Sequence, residues 1–151
     1  MGQGAKMTHP AESVAEILGL TPKGTSLAPL ELVRKVEEGL PLRSLDRITL
    51  HFAPENKSFS YLIVQKATLG RRKSSAKKRL SVSESEKVAR LARIWSAALK
   101  VWKDDNQARK FLTEPHMLLN GRAPAEMTAK TEEGARLVEN ILGRLQHGTA
   151  L

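Results

Sequence analysis

The 151-residue chain contains no cysteine, few aromatic residues and no long apolar run. Without cysteine it cannot form disulfides, use a thiol nucleophile or bind zinc through thiolates. Every apolar run is shorter than the roughly 20 residues that a transmembrane helix needs. The first residues also lack the apolar core of a signal peptide, so we expect a cytoplasmic protein.

The chain also lacks the usual sequence marks of a catalytic or metal site. Its four histidines are scattered, and none stands at the i, i+4 spacing of a zinc-binding helix. No Gly-x-Ser-x-Gly sequence is present that would expose a serine nucleophile. We therefore expect a protein that is not an enzyme and that binds neither a metal nor an organic cofactor.

Positive charge, by contrast, is in excess and concentrated. The chain has 25 Lys and Arg against 16 Asp and Glu, a formal net charge of +9. Six cations lie close together without an acidic residue among them: Arg71, Arg72, Lys73, Lys77, Lys78 and Arg79. Such a segment can be a solvated linker, and it can also bind the phosphates of a nucleic acid. Ser74 and Ser75 in its middle favour a flexible segment.

The spacing of apolar residues predicts helices in the first third of the chain. We expect a short helix from Pro10 to near Gly19 and a second helix that is capped by Ser26 and ends at Gly39. A third helix is expected over residues 42–52.

The stretch from Ser58 to Lys73 is ambiguous from its composition alone. Phe59 to Val64 is rich in the β-branched and aromatic residues typical of a strand. The same stretch also fits one long helix, or two short helices that meet near Val64 and Gln65.

The stretch from Leu80 to Gly148 has the clearest helical pattern. Two possible capping boxes, Ser81/Glu84 and Ser83/Glu86, precede a long amphipathic helix that ends near Trp102. A shorter helix is expected over about 106–112, a turn at 120–122, a one-turn helix from Pro124, and a last helix from a Thr131 cap to Gly148. We expect its core to contain Val88, Leu91, Trp95, Leu99, Leu112, Val138, Ile141 and Leu142.

This C-terminal stretch resembles the toxin-binding domain of the Xre/MbcA/ParS antitoxins. The matching residues, in order, are Leu80-Ser-x-x-Glu84-Ser85, Arg90-Leu91-Ala92, Ala108-x-x-Phe111-Leu112, Pro115, Leu119-x-Gly121, Pro124, Thr131-x-x-Gly134 and Val138-x-x-x-Leu142. Gly39-Leu40-Pro41 and Thr68-Leu69-x-Arg71-Arg72 resemble the Xre-like helix-turn-helix part of the same proteins. Two positions depart from the family: Phe111 stands where Trp is usual, and residues 149–151 stand where an aromatic residue is usual.

The resemblance implies an all-α fold with a helix-turn-helix that binds DNA. It places a supporting helix at about Ser58–Ile63 and a recognition helix from about Lys66, which would enter the major groove. The small residues Ala67 and Gly70 would allow close approach to the groove wall. The residues expected to contact DNA are Gln65, Lys66, Thr68, Arg71, Arg72 and Lys73.

The resemblance also implies a toxin partner with a RES domain, an enzyme that consumes NAD or transfers ADP-ribose. The antitoxin would block the toxin's active site sterically and would bind the operator of its own operon, by default as a homodimer. The residues expected to contact the toxin are Asn120, Gly121, Arg122, His147, Thr149, Ala150 and Leu151.

These expectations divide the chain into three parts: an N-terminal extension with a possible short helix (1–24), a helix-turn-helix module (25–76) and a toxin-binding domain (77–151). One alternative is a plain helix-turn-helix transcription regulator whose C-terminal domain only dimerises. Another is a nucleic-acid-associated scaffold without a toxin. An adjacent open reading frame that encodes a RES-type enzyme would distinguish the antitoxin from both.

Overall fold

The computed structural model describes residues 13–148, and over that range the chain is helical with no strand. Eight α-helices follow one another: α1 (Val14–Ile17), α2 (Pro29–Glu38), α3 (Leu42–Phe52), α4 (Lys66–Lys73), α5 (Val82–Trp102), α6 (Asp105–Thr113), α7 (Pro124–Lys130) and α8 (Glu132–Gln146). Short 3-10 helices at Lys57–Leu62 and Met117–Leu119 lie between them. The predicted all-α fold is confirmed, and none of the helices described is long and apolar enough to cross a membrane.

The first two helices begin elsewhere than the sequence predicted. Ser13 and Glu16 form a capping box at the start of α1, while Pro10 lies outside the described residues. Ser26 does not cap α2, which has Ala28 at its N-cap and Pro29 in its first turn. The Ser26 prediction is wrong because proline, with a fixed φ and no N–H, sets the start of the helix itself.

The ambiguous stretch forms two helical pieces, as the resemblance implied, and the strand alternative is wrong. The first piece is the 3-10 helix Lys57–Leu62, which is capped by the Asn56 side chain, and the second piece is α4. Phe59 stacks on Phe52 of α3 with ring centroids 5.2 Å apart. Ile63 and Val64, which follow the 3-10 helix and precede α4 in the chain, are buried. Of the residues that suggested a strand, Ile63 and Val64 are thus buried and Phe59 is half-buried, whereas Tyr61 and Leu62 are exposed.

Helix α5 is the centre of the molecule and packs against α2, α3, α6, α7 and α8. The Ser81/Glu84 capping box forms at its start. Ser83 lies inside the helix instead, so the second predicted box does not form. Of the predicted core, the fully buried residues are Val88, Leu91, Trp95, Leu112, Val138 and Leu142. Leu99 packs against the edge of this core, and Ile141 is only half-buried.

The end of the basic segment, residues 71–79, is hydrogen-bonded to the start of α3, and Leu80, which follows it, is hydrogen-bonded to Leu40. The backbone of Leu42 donates to the Lys78 carbonyl at 3.0 Å, and that of Leu80 donates to the Leu40 carbonyl at 2.8 Å. Gly39 has a φ of +92°, and a Cβ there would collide with the Leu80 carbonyl oxygen. Only glycine allows the two backbone segments to approach this closely.

The last two helices form a compact pair. Pro124 starts a seven-residue helix, longer than the predicted single turn. The Thr131 hydroxyl accepts from the Gly134 N–H at 2.9 Å, which confirms the predicted cap of α8. The helix ends at Gln146, and Gly148 has a left-handed φ of +72°, close to the predicted end.

Candidate functional site

Helix α4 has a polar outward face, and one buried residue anchors it to the protein. Leu69 is buried, whereas Lys66, Ala67, Gly70 and Arg71 are exposed. A Cβ on Gly70 would meet no atom within 4 Å. This side of the helix is therefore unobstructed, with small residues between two cations.

The remaining predicted DNA contacts lie around this face. Gln65 is exposed at the N-cap of α4, and Lys73 is exposed in its last turn. Thr68 is half-buried, and its hydroxyl accepts from the Arg71 guanidinium at 3.3 Å. These residues thus come together on one short helix, as predicted.

Arg72 differs from its neighbours because it points back to the body of the protein. Its guanidinium forms an ion pair with Glu84, and the two side chains are only 26% and 14% exposed. It also donates to the Arg79 carbonyl at 3.4 Å. Arg79 in turn donates to the Gly39 carbonyl at 2.8 Å. Two of the six clustered cations therefore hold the segment in place.

The same ion pair shifts the ionisation of Glu84. Partial burial alone would raise the pKa of Glu84, but hydrogen bonds from Arg72 and from the Ser81 backbone, together with the charge of Arg72, lower it overall. The carboxyl group also closes the capping box of α5 by accepting from the Ser81 N–H at 2.8 Å. Glu84 thus joins the basic segment to the start of the central helix.

A basic groove of about 560 Å³ lies between α3, α4 and the basic segment. It is lined by Pro41, Leu42, Arg43, Asp46, Leu69, Lys73, Lys77, Lys78 and Arg79. Cations greatly outnumber the single acidic residue, so the groove can accept an anion such as a phosphate. Arg43 is an addition to the predicted residues, and only the fold reveals it, because it lies 28 residues before Arg71 in the chain.

The second predicted site centres on the 116–122 turn, a loop between α6 and α7. Two hydrogen bonds close its base: the His116 N–H donates to the Arg122 carbonyl at 3.2 Å, and the Gly121 N–H donates to the His116 carbonyl at 2.9 Å. Asn120 and Gly121 have left-handed φ values of 56° and 78°. Asn120, Gly121 and Arg122 are therefore held together on one compact turn, as predicted.

A row of ring contacts connects this turn to the end of α5. The His116 ring lies 4.8 Å from that of Phe111, and Phe111 lies 4.8 Å from Trp102. The His116 Nε2 is also 2.8 Å from the Phe111 carbonyl oxygen. Phe111, the residue that departs from the family's usual Trp, thus joins the end of α5 to the turn.

The rest of the predicted toxin site is only partly within the structure. His147 is exposed at the C-terminal end of α8, where its N–H donates to the Gly143 carbonyl at 3.1 Å. Thr149, Ala150 and Leu151 lie outside the described residues. Within the described range, no three His, Asp or Glu residues are arranged to hold a metal ion.

The sequence prediction missed the most exposed apolar residues of this region. Met117 is 94% exposed and Leu118 is 75% exposed at the tip of the turn. A signal was present, because three large apolar residues, Met117, Leu118 and Leu119, stand between His116 and the Asn-Gly turn residues. The outward direction of Met117 and Leu118, however, depends on the closure of the turn by His116 and Arg122.

Both regions lie within segments that match known families of protein domain. Residues 31–93 match the antitoxin Xre-like helix-turn-helix domain, and residues 97–148 match the C-terminal toxin-binding domain of the Xre/MbcA/ParS antitoxins. A relative named Antitoxin Xre, from Photorhabdus laumondii subsp. laumondii, is 30% identical over 116 residues, which are 75% of this chain and 76% of the relative. Helix α4 lies within the first match and the 116–122 turn within the second.

Proposed function

This chain belongs to the Xre/MbcA/ParS family of antitoxins, and we propose that it neutralises a RES-domain toxin and represses its own operon. The observation that carries the proposal is the match of residues 97–148 to a toxin-binding domain. The helix-turn-helix match over residues 31–93 supports the DNA-binding half. Both matched segments contribute to one continuous core.

The DNA-binding half of the proposal rests on the outward face of α4 and the basic groove beside it. With α4 in the major groove, Gln65, Lys66 and Arg71 would face base edges and phosphates. The cations of the groove, among them Arg43 and Lys73, would contact the flanking phosphates. Arg72 belongs to the predicted contacts as well, but its pairing with Glu84 favours an indirect role in holding α4.

A salt titration tests this half. We expect the Arg71→Ala/Arg72→Ala/Lys73→Ala variant to bind promoter DNA more weakly, with the slope of log K against log salt reduced by about one unit for each phosphate that the variant no longer neutralises. Anisotropy with the DNA upstream of the chain's own gene gives both values. A matched control is Lys100→Ala, an exposed cation on α5 outside the helix-turn-helix match. Equal binding by the triple variant and the parent would refute the assignment.

The second half of the proposal is steric neutralisation. The antitoxin would cover the cleft where the toxin binds NAD, with the C-terminal residues at its mouth and the 116–122 turn on the body of the interface.

Truncation tests the role of the tail. We expect deletion of residues 147–151 to leave folding and DNA binding intact but to weaken neutralisation. Co-expression with the RES-domain protein from the adjacent open reading frame, scored by cell growth and NAD level, measures this. Full protection by the truncated chain would remove the tail from the mechanism. Absence of any protection by the parent chain would refute the antitoxin proposal itself.

A homodimer is also part of the proposal, because two-fold operators are bound by paired helix-turn-helix modules. Helix α2 has no fully buried residue, and it exposes Leu30 and Val33 one turn apart. We propose this face as the contact between two copies. Light scattering after size exclusion should show a smaller species for the Leu30→Glu/Val33→Glu variant than for the parent. An unchanged mass would place the contact elsewhere.

A further inference from the structure

The tip of the 116–122 turn exposes two large apolar side chains side by side. Met117 is 94% exposed and Leu118 is 75% exposed, whereas the next residue, Leu119, is buried. We call the first two residues the Met–Leu tip. Exposed apolar surface costs free energy in water, at about 25 cal/mol per Å². Single exposed apolar residues are common on protein surfaces, but two adjacent ones on a projecting turn suggest a contact site.

The backbone that carries the Met–Leu tip is held in one conformation. Besides the two hydrogen bonds at the base, the Leu119 N–H donates to the His116 carbonyl at 3.0 Å, and the Asn120 N–H donates to the Met117 carbonyl at 3.0 Å. The Arg122 N–H donates to the Leu119 carbonyl at 3.1 Å. Binding of this turn by a partner therefore costs little conformational entropy for ordering its backbone.

The turn is also fixed to the core of the protein. Leu119 is buried under the tip, and the His116 ring stacks on Phe111. The Arg122 Nε, at the base of the turn, lies 4.0 Å from the Glu126 Oε1 on α7. The arrangement places an apolar projection above a polar rim, which is the general composition of a protein interface.

We propose that the Met–Leu tip is the apolar anchor by which this chain docks on its toxin, inserting into a hydrophobic pocket on the toxin surface. The inference rests on the proposed function and adds the residues that carry the contact. Within the described part of the toxin-binding match, Met117 and Leu118 are the two most exposed large apolar residues. Methionine suits such a contact because its flexible thioether adapts to an irregular pocket.

The shape of the tip favours a concave partner over the same tip of a second copy. If two Met–Leu tips met on a two-fold axis, two convex turns would face each other and share little surface. A stable interface buries on the order of 1,000 Å² or more, which two such two-residue tips do not provide. A pocket on a different protein encloses both side chains and can extend the contact to the rim.

The test compares a variant of the tip with a matched exposed apolar residue elsewhere. The tip variant is Met117→Ser/Leu118→Ser, and the control is Leu50→Ser on α3, where the leucine is 60% exposed and outside the toxin-binding match. The probe is the RES-domain protein from the adjacent open reading frame, purified as an inactive variant. Isothermal titration gives its Kd for the full-length parent and for each variant, and thermal melts show that each variant is folded.

We expect the tip variant to bind the toxin at least about 100-fold more weakly, because two apolar side chains would no longer fill their pocket. The control should bind within about threefold of the parent, and both variants should keep the parent's affinity for promoter DNA. A tip variant that binds within about threefold of the parent would overturn the inference and leave the proposed function standing. A parent chain that does not bind the probe would overturn both.

A second copy of the chain as the occupant is a distinguishable outcome, and it too would overturn the inference. In that case the tip variant would change the mass measured by light scattering and leave the Kd for the toxin unchanged. If the tip variant were unfolded, Met117→Gln/Leu118→Gln, which keeps similar length but adds polar groups, takes its place under the same criteria.

Discussion

The two exposed surfaces of this protein are built in opposite ways. Helix α4 carries its charges on long side chains and is anchored by the buried Leu69 and by the Arg72–Glu84 ion pair. The Met–Leu tip carries apolar side chains on a backbone that five hydrogen bonds within residues 116–122 hold in place. The α4 surface is suited to bind a partner through charge, and the Met–Leu tip is suited to bind one through a close apolar fit.

This difference corresponds to the two kinds of partner that we propose, DNA and a toxin. Long cationic side chains can follow the regular phosphates of DNA without a fixed backbone fit, and the attraction is weakened by salt. An apolar contact gains free energy only where the surfaces fit closely, so its backbone must be set beforehand. We therefore expect DNA binding to fall steeply with added salt and toxin binding through the tip to change little.

The largest expected effect is a loss of stability in the core, which supports both surfaces. Trp95 lies 5.1 Å from the His51 ring and 5.4 Å from the Phe52 ring, and the Arg109 guanidinium lies over it at 5.7 Å. We expect Trp95→Ala to lower the free energy of unfolding by about 3–5 kcal/mol. Urea titration measures it. A decrease in the free energy of unfolding of less than about 1 kcal/mol would show that the shared core does not depend on the Trp95 side chain.

A smaller effect separates the two roles of neighbouring cations. Arg72→Gln breaks a half-buried ion pair, so we expect it to lower the free energy of unfolding by about 1–2 kcal/mol. Arg71→Gln, its exposed neighbour, should leave stability unchanged and reduce the salt slope of DNA binding by about one unit. Urea unfolding and DNA anisotropy on both variants give the comparison. Identical behaviour of the two variants in both assays would contradict the assignment.

The pH dependence of stability tests the same pair by another route. The pKa of Glu84 is lowered in the folded protein, so its contribution is complete above the ordinary glutamate pKa and is lost as the pH falls through the lower folded-state pKa. The stability difference between the parent and Glu84→Gln should therefore shrink as the solution is acidified below about pH 4.5. Glu86→Gln, at an exposed position on α5, is the control. A difference that stays constant down to strongly acidic pH would exclude this role for Glu84.

The smallest expected effect concerns the outward face of α4. Gly70 lies inside the helix, and a Cβ there would meet no neighbour. Gly70→Ala should raise the free energy of unfolding by about 0.5–1 kcal/mol, because alanine loses less conformational freedom on folding. If this face enters the groove of DNA, the added methyl group should also weaken DNA binding. Urea unfolding measures the increase, and an unchanged or lower stability would contradict it.

Much of the helical pattern could be predicted from local signals. The Ser81/Glu84 capping box and the Thr131 cap are read from neighbouring residues, and both form as predicted. Ser26 failed as a cap because Pro29 imposes its own start on the helix. The β propensity of Phe59 left a strand open as an alternative, and in the fold its ring stacks on Phe52 instead. Local signals therefore failed where a neighbour in sequence or in space overrode them.

The features of the candidate sites that were missed depend on which residues pair with one another in the fold. The sequence shows six clustered cations, but not that Arg72 pairs with Glu84 or that Arg79 donates to the Gly39 carbonyl. Likewise, the Asn-Gly pair predicts a turn, but the outward direction of Met117 follows from the pairing of His116 with Arg122. No local pattern specifies such pairings.

Helix α5 also limits how antitoxins of this kind can exchange parts during evolution. It runs through the boundary between the two matched segments, and its buried residues on either side of that boundary, among them Leu91 and Ala98, belong to the same core. Recombination that joined a new DNA-reading half to this toxin-binding half would have its crossover inside a helix. One residue inserted there rotates everything beyond it by about 100°, so a viable hybrid must keep the helical register across the junction.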